Sequence, residues 1–298
     1  MISTRFSAAE LSEMTEVTDQ AYADRLTAIK AKKGFIIDMD GVIYHGSQLL
    51  PGAKEFVDWL ISENKQFLFL TNNSTPTPKE LSEKLHRMGL DIPPTNFYTS
   101  GNKSIKFLTN PLSIATAKFL QSQKPAGGKV FALGGPGLTY ALYEHGFTMS
   151  ETKPDYVVIG TEGTSHNFEG LQKALSLITK DGAKLIGTNP DSNGVKENGE
   201  KVLGTGAFLA LLEVASGKKA FTCGKPSSLM MSYATTYLGL PKEDTCIVGD
   251  RMDTDILAGT NAQIDPVLVM SGVTDMNNLF DDAYRPYLIL NGVGELVN

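Results

Sequence analysis

Nine residues, Gly34-Phe35-Ile36-Ile37-Asp38-Met39-Asp40-Gly41-Val42, constrain the fold of this chain more than any others. A short apolar run with β-branched Ile36 and Ile37 suits a strand covered on both faces, as the central parallel strands of α/β proteins are. The run ends in two carboxylates one residue apart, and ligands of open α/β sheets bind in the crevice outside the carboxyl ends of the strands. Alternate residues of an extended segment point the same way, so Asp38 and Asp40 can face one small volume while Met39 packs elsewhere and Gly41 permits a sharp exit. Two carboxylates in one pocket repel, so a cation, a shared proton or a raised pKa on one of them is expected. The pairing suits an ionised nucleophile beside an acid/base. A solvated Asp-x-Asp-Gly turn is the alternative that this stretch leaves open.

Strand and helix patterns alternate after it. Ala53, Phe56, Val57, Leu60 and Ile61 fall at i, i+3, i+4, i+7 and i+8 and predict a helix behind Pro51. Residues 67–70 predict the next strand, which ends in Thr71-Asn72-Asn73. Thr77, Pro78 and Glu80 then predict the capped start of a second helix with Leu81, Leu85 and Met88 inward. Such an order implies parallel pairing by right-handed crossovers, which brings Thr71 to the same sheet edge as Asp38.

Strands near 130–133, 156–159 and 184–187 and helices near 138–144 and 168–179 read as a second α/β set. Gly134-Gly135-Pro136-Gly137 reads as a tight strand-to-helix turn. It lacks the third glycine of a dinucleotide fingerprint in register, and Pro136 has no amide to offer a phosphate. Gly224-Lys225-Pro226 precedes a further helix, and Cys246-Ile247-Val248-Gly249 is a buried strand ending in Asp250-Arg251-Met252-Asp253-Thr254-Asp255. The last strands are expected at 266–270 and 287–290. The fold class is therefore α/β: a doubly wound parallel-sheet, Rossmann-like core at 32–125 and 218–298 with an inserted α/β cap domain at 126–217. Residues 1–31, with the capping box Ser7-Ala8-Ala9-Glu10, form an N-terminal helical extension that packs against the core or a partner subunit.

A chain of 298 residues with 41% hydrophobic content can bury two cores of ordinary size. Its net charge of -6 argues against a nucleic-acid surface or an anionic-membrane surface as partner. No apolar run approaches the roughly 18 residues of a membrane span, and the start carries no signal-peptide pattern. Cys223 and Cys246 lie in no pairing motif, which suits a reducing compartment, so the chain reads as soluble and cytoplasmic. His45, His86, His145 and His166 are scattered without metal-ligand spacing, and zinc is not expected.

Four pieces stand in order: Asp38-x-Asp40 after a strand, Thr71-Asn72 after a strand, Lys225 before a helix, and Asp250 with Asp255 after a strand. Singly they read as a turn, a helix cap, a solvated amine and a polar loop. Together they resemble the four motifs of the haloacid dehalogenase superfamily of phosphohydrolases. The words Asp38-Met39-Asp40-Gly41-Val42, Thr71-Asn72-Asn73-Ser74, Thr188-Asn189-Pro190-Asp191, Gly224-Lys225-Pro226 and Gly249-Asp250-Arg251 are similar to those of its NagD-like, or 4-nitrophenylphosphatase-like, branch. That branch carries a larger α/β cap between the second and third motifs.

The resemblance implies that Asp38 is the nucleophile that forms an aspartyl-phosphate, and that Asp40 protonates the leaving oxygen and then deprotonates water. It implies that the Thr71 hydroxyl and the Asn72 amide hold phosphate oxygens, and that Lys225 neutralises charge shared by Asp38 and the phosphoryl group. Magnesium, Mg2+, would be ligated by Asp38, the backbone carbonyl of Asp40 and Asp250. Asp255 would orient Lys225 or a metal-bound water, with Gly41 supporting the turn. An acid at position 40 favours phosphate-ester hydrolysis over carbon-halogen cleavage. Thr188 to Asp191 and the loop 160–167 are candidates for reaching over the site, with Asp191 either a substrate contact or the cap of a turn.

The expected activity is Mg-dependent hydrolysis of small phosphomonoesters such as sugar phosphates or nucleotide monophosphates. Its rivals are phosphotransfer to an acceptor other than water and a non-catalytic phosphate-sensing module. The expected partner is a small phosphorylated metabolite, and the resemblance implies that homo-oligomers are common. Two stretches depart from the family pattern: the extension before Lys32, and the segment 100–111, where Lys103 to Leu108 echoes Ala115 to Leu120.

Overall fold

The computed structural model describes residues 6–73, 78–96, 111–161, 166–195 and 200–297. In chain order the elements begin with α1 (Ala8–Met14), α2 (Asp19–Ala31), β1 (Gly34–Ile37), β2 (Tyr44–His45), β3 (Gln48–Leu49), α3 (Ala53–Ser62), β4 (Gln66–Phe69) and α4 (Pro78–Arg87). There follow α5 (Pro111–Gln123), β5 (Lys129–Leu133), α6 (Pro136–Glu144), β6 (Thr148–Met149), β7 (Tyr156–Ile159), α7 (Phe168–Lys180) and β8 (Lys184–Gly187). The chain continues through β9 (Asn193–Val195), β10 (Lys201–Leu203), α8 (Thr205–Ser216), β11 (Phe221–Thr222) and α9 (Ser228–Leu238). It closes with β12 (Thr245–Gly249), α10 (Leu257–Ala262), β13 (Asp265–Val269) and β14 (Leu288–Leu290). Two compact units result, Met1–Thr71 with Lys84–Ile92 and Met231–Asn298, and Asn72–Glu83 with Pro93–Met230.

The first unit is a Rossmann-like layer built on a parallel sheet of order β14-β13-β12-β1-β4. All four residues of β1 are buried, as the unbroken apolar run requires. On α3 the helical spacing puts Phe56, Val57 and Leu60 inward, where Phe56 and Trp59 meet the ring of Phe35 edge-on at 6.1 and 5.7 Å. The extension lies on the opposite edge of this sheet from β4. Ser7 and Glu10 close the expected capping box of α1. On α2 the hydroxyl of Tyr22 donates to Ile289 O and the guanidinium of Arg25 to Tyr287 O, both at 2.8 Å. Ile289 lies on β14 and Tyr287 immediately precedes it, so α2 supplies donors to carbonyls of an edge strand.

The second unit has its own five-stranded parallel sheet, β11-β8-β7-β5-β6, and an antiparallel hairpin of β9 and β10. One face of the sheet is covered by α5 and α6, with Ile114, Leu120, Leu138, Leu142 and Phe147 buried against Val130 and Val158. The other is covered by α7 and α8, with Leu177, Ile178, Leu209 and Leu212 against Val157 and Leu185. Gly134-Gly135-Pro136 is the strand-to-helix turn it was expected to be, with Pro136 in the first turn of α6. The bounds of this unit are wider than the 126–217 read from the sequence. Pairing of β11 with β8 carries it past 217, and packing of α5 on α6 carries it before 126. Thr77, Ser74, the segment from Tyr98 to Asn110, the first five residues and part of the loop 160–167 lie outside the described residues.

Candidate active site

In the first unit β1 sits at a topological switch point, with β4 on one side and β12 on the other. In-register pairing sends Asp38 N–H to Val248 O at 2.9 Å and Leu70 N–H to Ile37 O at 2.8 Å. Asp38 and Asp250 therefore emerge from adjacent strand ends, and Thr71 stands two residues beyond the end of β4. A π-helical turn over Met252–Ile256 brings a third carboxylate back to the same place. Ligand oxygens of Asp38, Asp250 and Asp255 lie within 4.8 Å of one another, and the three residues are 9%, 2% and 0% exposed.

Glycines make this crowding feasible. A Cβ on Gly249 would lie 2.2 Å from the Asp255 Cγ, and one on Gly272 would lie 2.0 Å from Asp250 Oδ2. Asp250 Oδ2 is further held by the N–H of Val273 at 2.7 Å, and the Asp255 carboxylate accepts the N–H of Arg251 at 3.3 Å. Three carboxylates this close repel unless a cation shares them. Their donor set, hard oxygens only, fits a hard divalent ion such as magnesium and not a soft one.

Asp40 is not one of the three clustered carboxylates. Its side chain keeps 62% of its surface and pairs with His45 Nδ1 at 3.3 Å. Desolvation by the protein packed behind it still holds its carboxyl above the usual value, opposed by His45 and Lys84. Tyr44, buried beneath, has its phenol pushed up by burial and by Asp40 and Asp38, with the Lys84 ammonium 3.9 Å from its ring centroid.

In the second unit Asn72 and Lys225 meet directly. Asn72 Oδ1 accepts the Lys225 N–H at 2.9 Å, and Asn72 Nδ2 donates to Lys225 O and to Asp191 Oδ2, both at 2.9 Å. Lys225 is 2% exposed. Asp191 accepts a second bond from Asn189 Nδ2 at 2.6 Å. The structure thus gathers the predicted residues as Asp38, Asp250 and Asp255 in one unit and Asn72, Lys225 and Asp191 in the other.

A family model described as haloacid dehalogenase-like hydrolase matches residues 35–148, and a second, HAD-hydrolase-like, matches 222–296. The dihydroxyacetone phosphatase of Corynebacterium glutamicum is 37% identical over 264 residues, 89% of this chain and 90% of that protein. The ribonucleotide monophosphatase NagD of Escherichia coli is 35% identical over 264 residues, 89% of this chain and 98% of that protein. This chain belongs to the haloacid dehalogenase-like hydrolases. The crystal structure of 4-nitrophenylphosphatase from Thermotoga maritima agrees. Its TM-score is 0.79 at 33% identity, covering 91% of this chain and 98% of that one. The haloacid dehalogenase-like class read from the motifs, phosphoric monoester hydrolase of the NagD-like branch, stands with it.

Within this haloacid dehalogenase-like site, sequence reasoning passed over His45 and named Asn189 only as part of the stretch Thr188 to Asp191. His45 reaches Asp40 only because the hairpin of β2 and β3 turns the chain back, through an Asp40 to Tyr44 bridge. Strands of two residues carry no periodicity to reveal this. The bond from Asn189 to Asp191 is what the structure adds to that stretch.

Proposed function

We propose that the chain hydrolyses small phosphomonoesters through an aspartyl-phosphate on Asp38, with magnesium as cofactor. The observation that carries this is the buried cluster of Asp38, Asp250 and Asp255, all-oxygen and closely spaced. Asp38, Asp250 and the Asp40 carbonyl would hold the ion, with Asp255 beside them. Bound magnesium would supply charge neutralisation at the phosphoryl oxygens and keep Asp38 ionised.

The chain's own residues then divide the work. A carboxylate oxygen of Asp38 attacks phosphorus, the ester oxygen departs, and Asp40 gives it a proton. Asp40, now ionised, takes a proton from water. That water attacks the phosphorus of the acyl phosphate, releasing inorganic phosphate and restoring Asp38. The raised pKa of Asp40 suits a group that must hold a proton and lose it within each cycle. Lys225 and the Thr71 hydroxyl are assigned to the phosphoryl oxygens, where positioning and charge do most of the catalysis.

The proposed substrates are of the kinds that the relatives are named for, dihydroxyacetone phosphate, ribonucleotide monophosphates and aryl phosphates. The second unit is assigned the choice among them. Cys223 and Cys246 are both buried and unpaired with one another, which suits a cytoplasmic location.

The test is phosphate release from 4-nitrophenyl phosphate, with and without magnesium, by the wild type and Asp38→Asn. Magnesium-dependent turnover that vanishes in Asp38→Asn is expected. Turnover that survives in Asp38→Asn would sink the covalent route, and turnover indifferent to chelation would sink the cofactor.

A further inference from the structure

Asn72 is 8% exposed, and both protons of its side-chain amide are spent on protein. A carboxamide nitrogen carries two protons. Here one goes to Lys225 O and the other to Asp191 Oδ2, while the carboxamide oxygen takes the Lys225 N–H. Partners of opposite kind on its two ends fix the orientation of the amide. Asn72 therefore pairs with Lys225 as a residue of a neighbouring strand would, donor to acceptor and acceptor to donor. It retains no side-chain proton for a phosphate oxygen, so only its backbone N–H can serve the substrate.

Asp191 is the anchor of this clamp. Its Oδ2 takes both the Asn72 and the Asn189 amides. Asn189 Oδ1 in turn accepts the hydroxyls of Thr188 at 2.8 Å and Thr161 at 3.1 Å, and Thr161 Oγ1 meets Thr205 Oγ1 at 3.0 Å. The main chain of Asp191 is held as well, because Gly206 N–H donates to its carbonyl at 2.8 Å. Gly224 permits the approach: a Cβ there would meet Asn72 Oδ1 at 2.7 Å and Thr188 O at 2.9 Å.

We infer that Asn72 and Asp191 are positioning residues that lock the backbone of Lys225, and that neither side chain is a substrate ligand. The inference rests on the reading of Lys225 as the cation that serves the phosphoryl group. Its chemical demand is specific. Position 191 must present an oxygen acceptor to two amides, and its charge is dispensable. Position 72 must present one acceptor and two donors.

The experiment compares Asn72→Ala, Asp191→Ala, Asp191→Asn, Lys225→Met and the double variant Asn72→Ala/Lys225→Met. Each is assayed for kcat and KM on 4-nitrophenyl phosphate at saturating magnesium, with a thermal midpoint for each protein. Lys225→Met is expected to lower kcat by about 100-fold or more, as removal of a charge-stabilising group does. Asn72→Ala and Asp191→Ala should lower kcat by about 10-fold to 100-fold through misplacement, with KM moved less than about threefold. Asp191→Asn keeps the acceptor and should recover most of the kcat lost in Asp191→Ala. In the double variant the loss at Asn72 should disappear into that of Lys225→Met.

Losses that multiply in the double variant would overturn the inference, since Asn72 would then act without Lys225. So would Asp191→Asn falling as far as Asp191→Ala, which would make the charge at 191 essential. A Lys225→Met enzyme with unchanged kcat would overturn the reading of Lys225 itself, and the inference with it. Should Asn72→Ala fail to fold, the two Asp191 variants decide alone.

Discussion

A methyl group on Gly41 would stand 2.5 Å from Asp250 Oδ2 and 2.9 Å from the Gly272 Cα, on a backbone with φ of +77°. Space and dihedral both forbid a side chain at that point. Gly41→Ala is therefore expected to destabilise the protein by about 1–3 kcal/mol. It should also displace Asp250 and lower kcat by about 10-fold or more, since small misplacements at a reacting centre are costly. Urea denaturation and phosphate release measure the two effects, and a variant with native values in both would refute the packing argument. At this scale the sequence was most informative about residues whose chemistry follows from a strand end. The places of Asp38 and Asp250 were legible because a buried strand announces where its polar terminus lies. The hold of the Asn72 side chain on Lys225 and Asp191 was not legible, because the word Thr71-Asn72 does not reveal which partners surround an amide.

Elements are tied together by a few polar groups whose strength depends on pH. Asp155, at the entry to β7, takes the Lys124 ammonium at the end of α5 and the Lys129 N–H of β5 at 2.8 Å. The Lys124 contact, followed by the Lys129 N–H, lowers its pKa below the usual 3.8. A carboxyl with a depressed folded pKa adds stability that is present above its unfolded value and lost as the pH falls through the folded one. Asp155→Asn should thus lower the thermal midpoint at pH 7, and its difference from the wild type should shrink below about pH 4. A difference that stays constant down to pH 2 would show that charge is not what holds this corner.

The start of α8 makes a second such joint. A Cβ on Gly206 would approach Pro190 O to 1.9 Å, so Gly206→Ala should cost about 1–3 kcal/mol and push Asp191 away from Asn72. The reduced urea midpoint should be accompanied by a fall in kcat. Long elements such as α3 and α7 were legible from the sequence. The two-residue strands β2, β3, β6 and β11 were not, because only pairing with a distant strand defines them.

For the whole molecule, the extension turns out to be part of the first unit. Besides Tyr22 and Arg25, the main chain of Phe6 exchanges two hydrogen bonds with the Asn291 side chain, at 2.7 and 2.9 Å. Tyr22→Phe leaves the Ile289 carbonyl without that buried donor and should cost about 1 kcal/mol. Removal of residues 1–31 should do more, exposing the outward edge of β14 to pairing with other chains. Light scattering on heating measures that tendency, and a shortened chain as monodisperse and as stable as the parent would contradict the assignment. The same pairing logic explains why the bounds of the second unit escaped the sequence. Membership of α5 and β11 is decided by which sheet they join, and neither composition nor periodicity encodes the choice.

The Phe6 to Asn291 exchange has a practical side for anyone producing the protein. Added peptide ahead of Phe6 extends from a backbone that is already satisfied, so an affinity handle placed there should be tolerated. A gene trimmed to the first family motif would discard the seal on β14 and yield poor material. An inactive preparation of that kind would then reflect the cloning decision rather than the chemistry of Asp38.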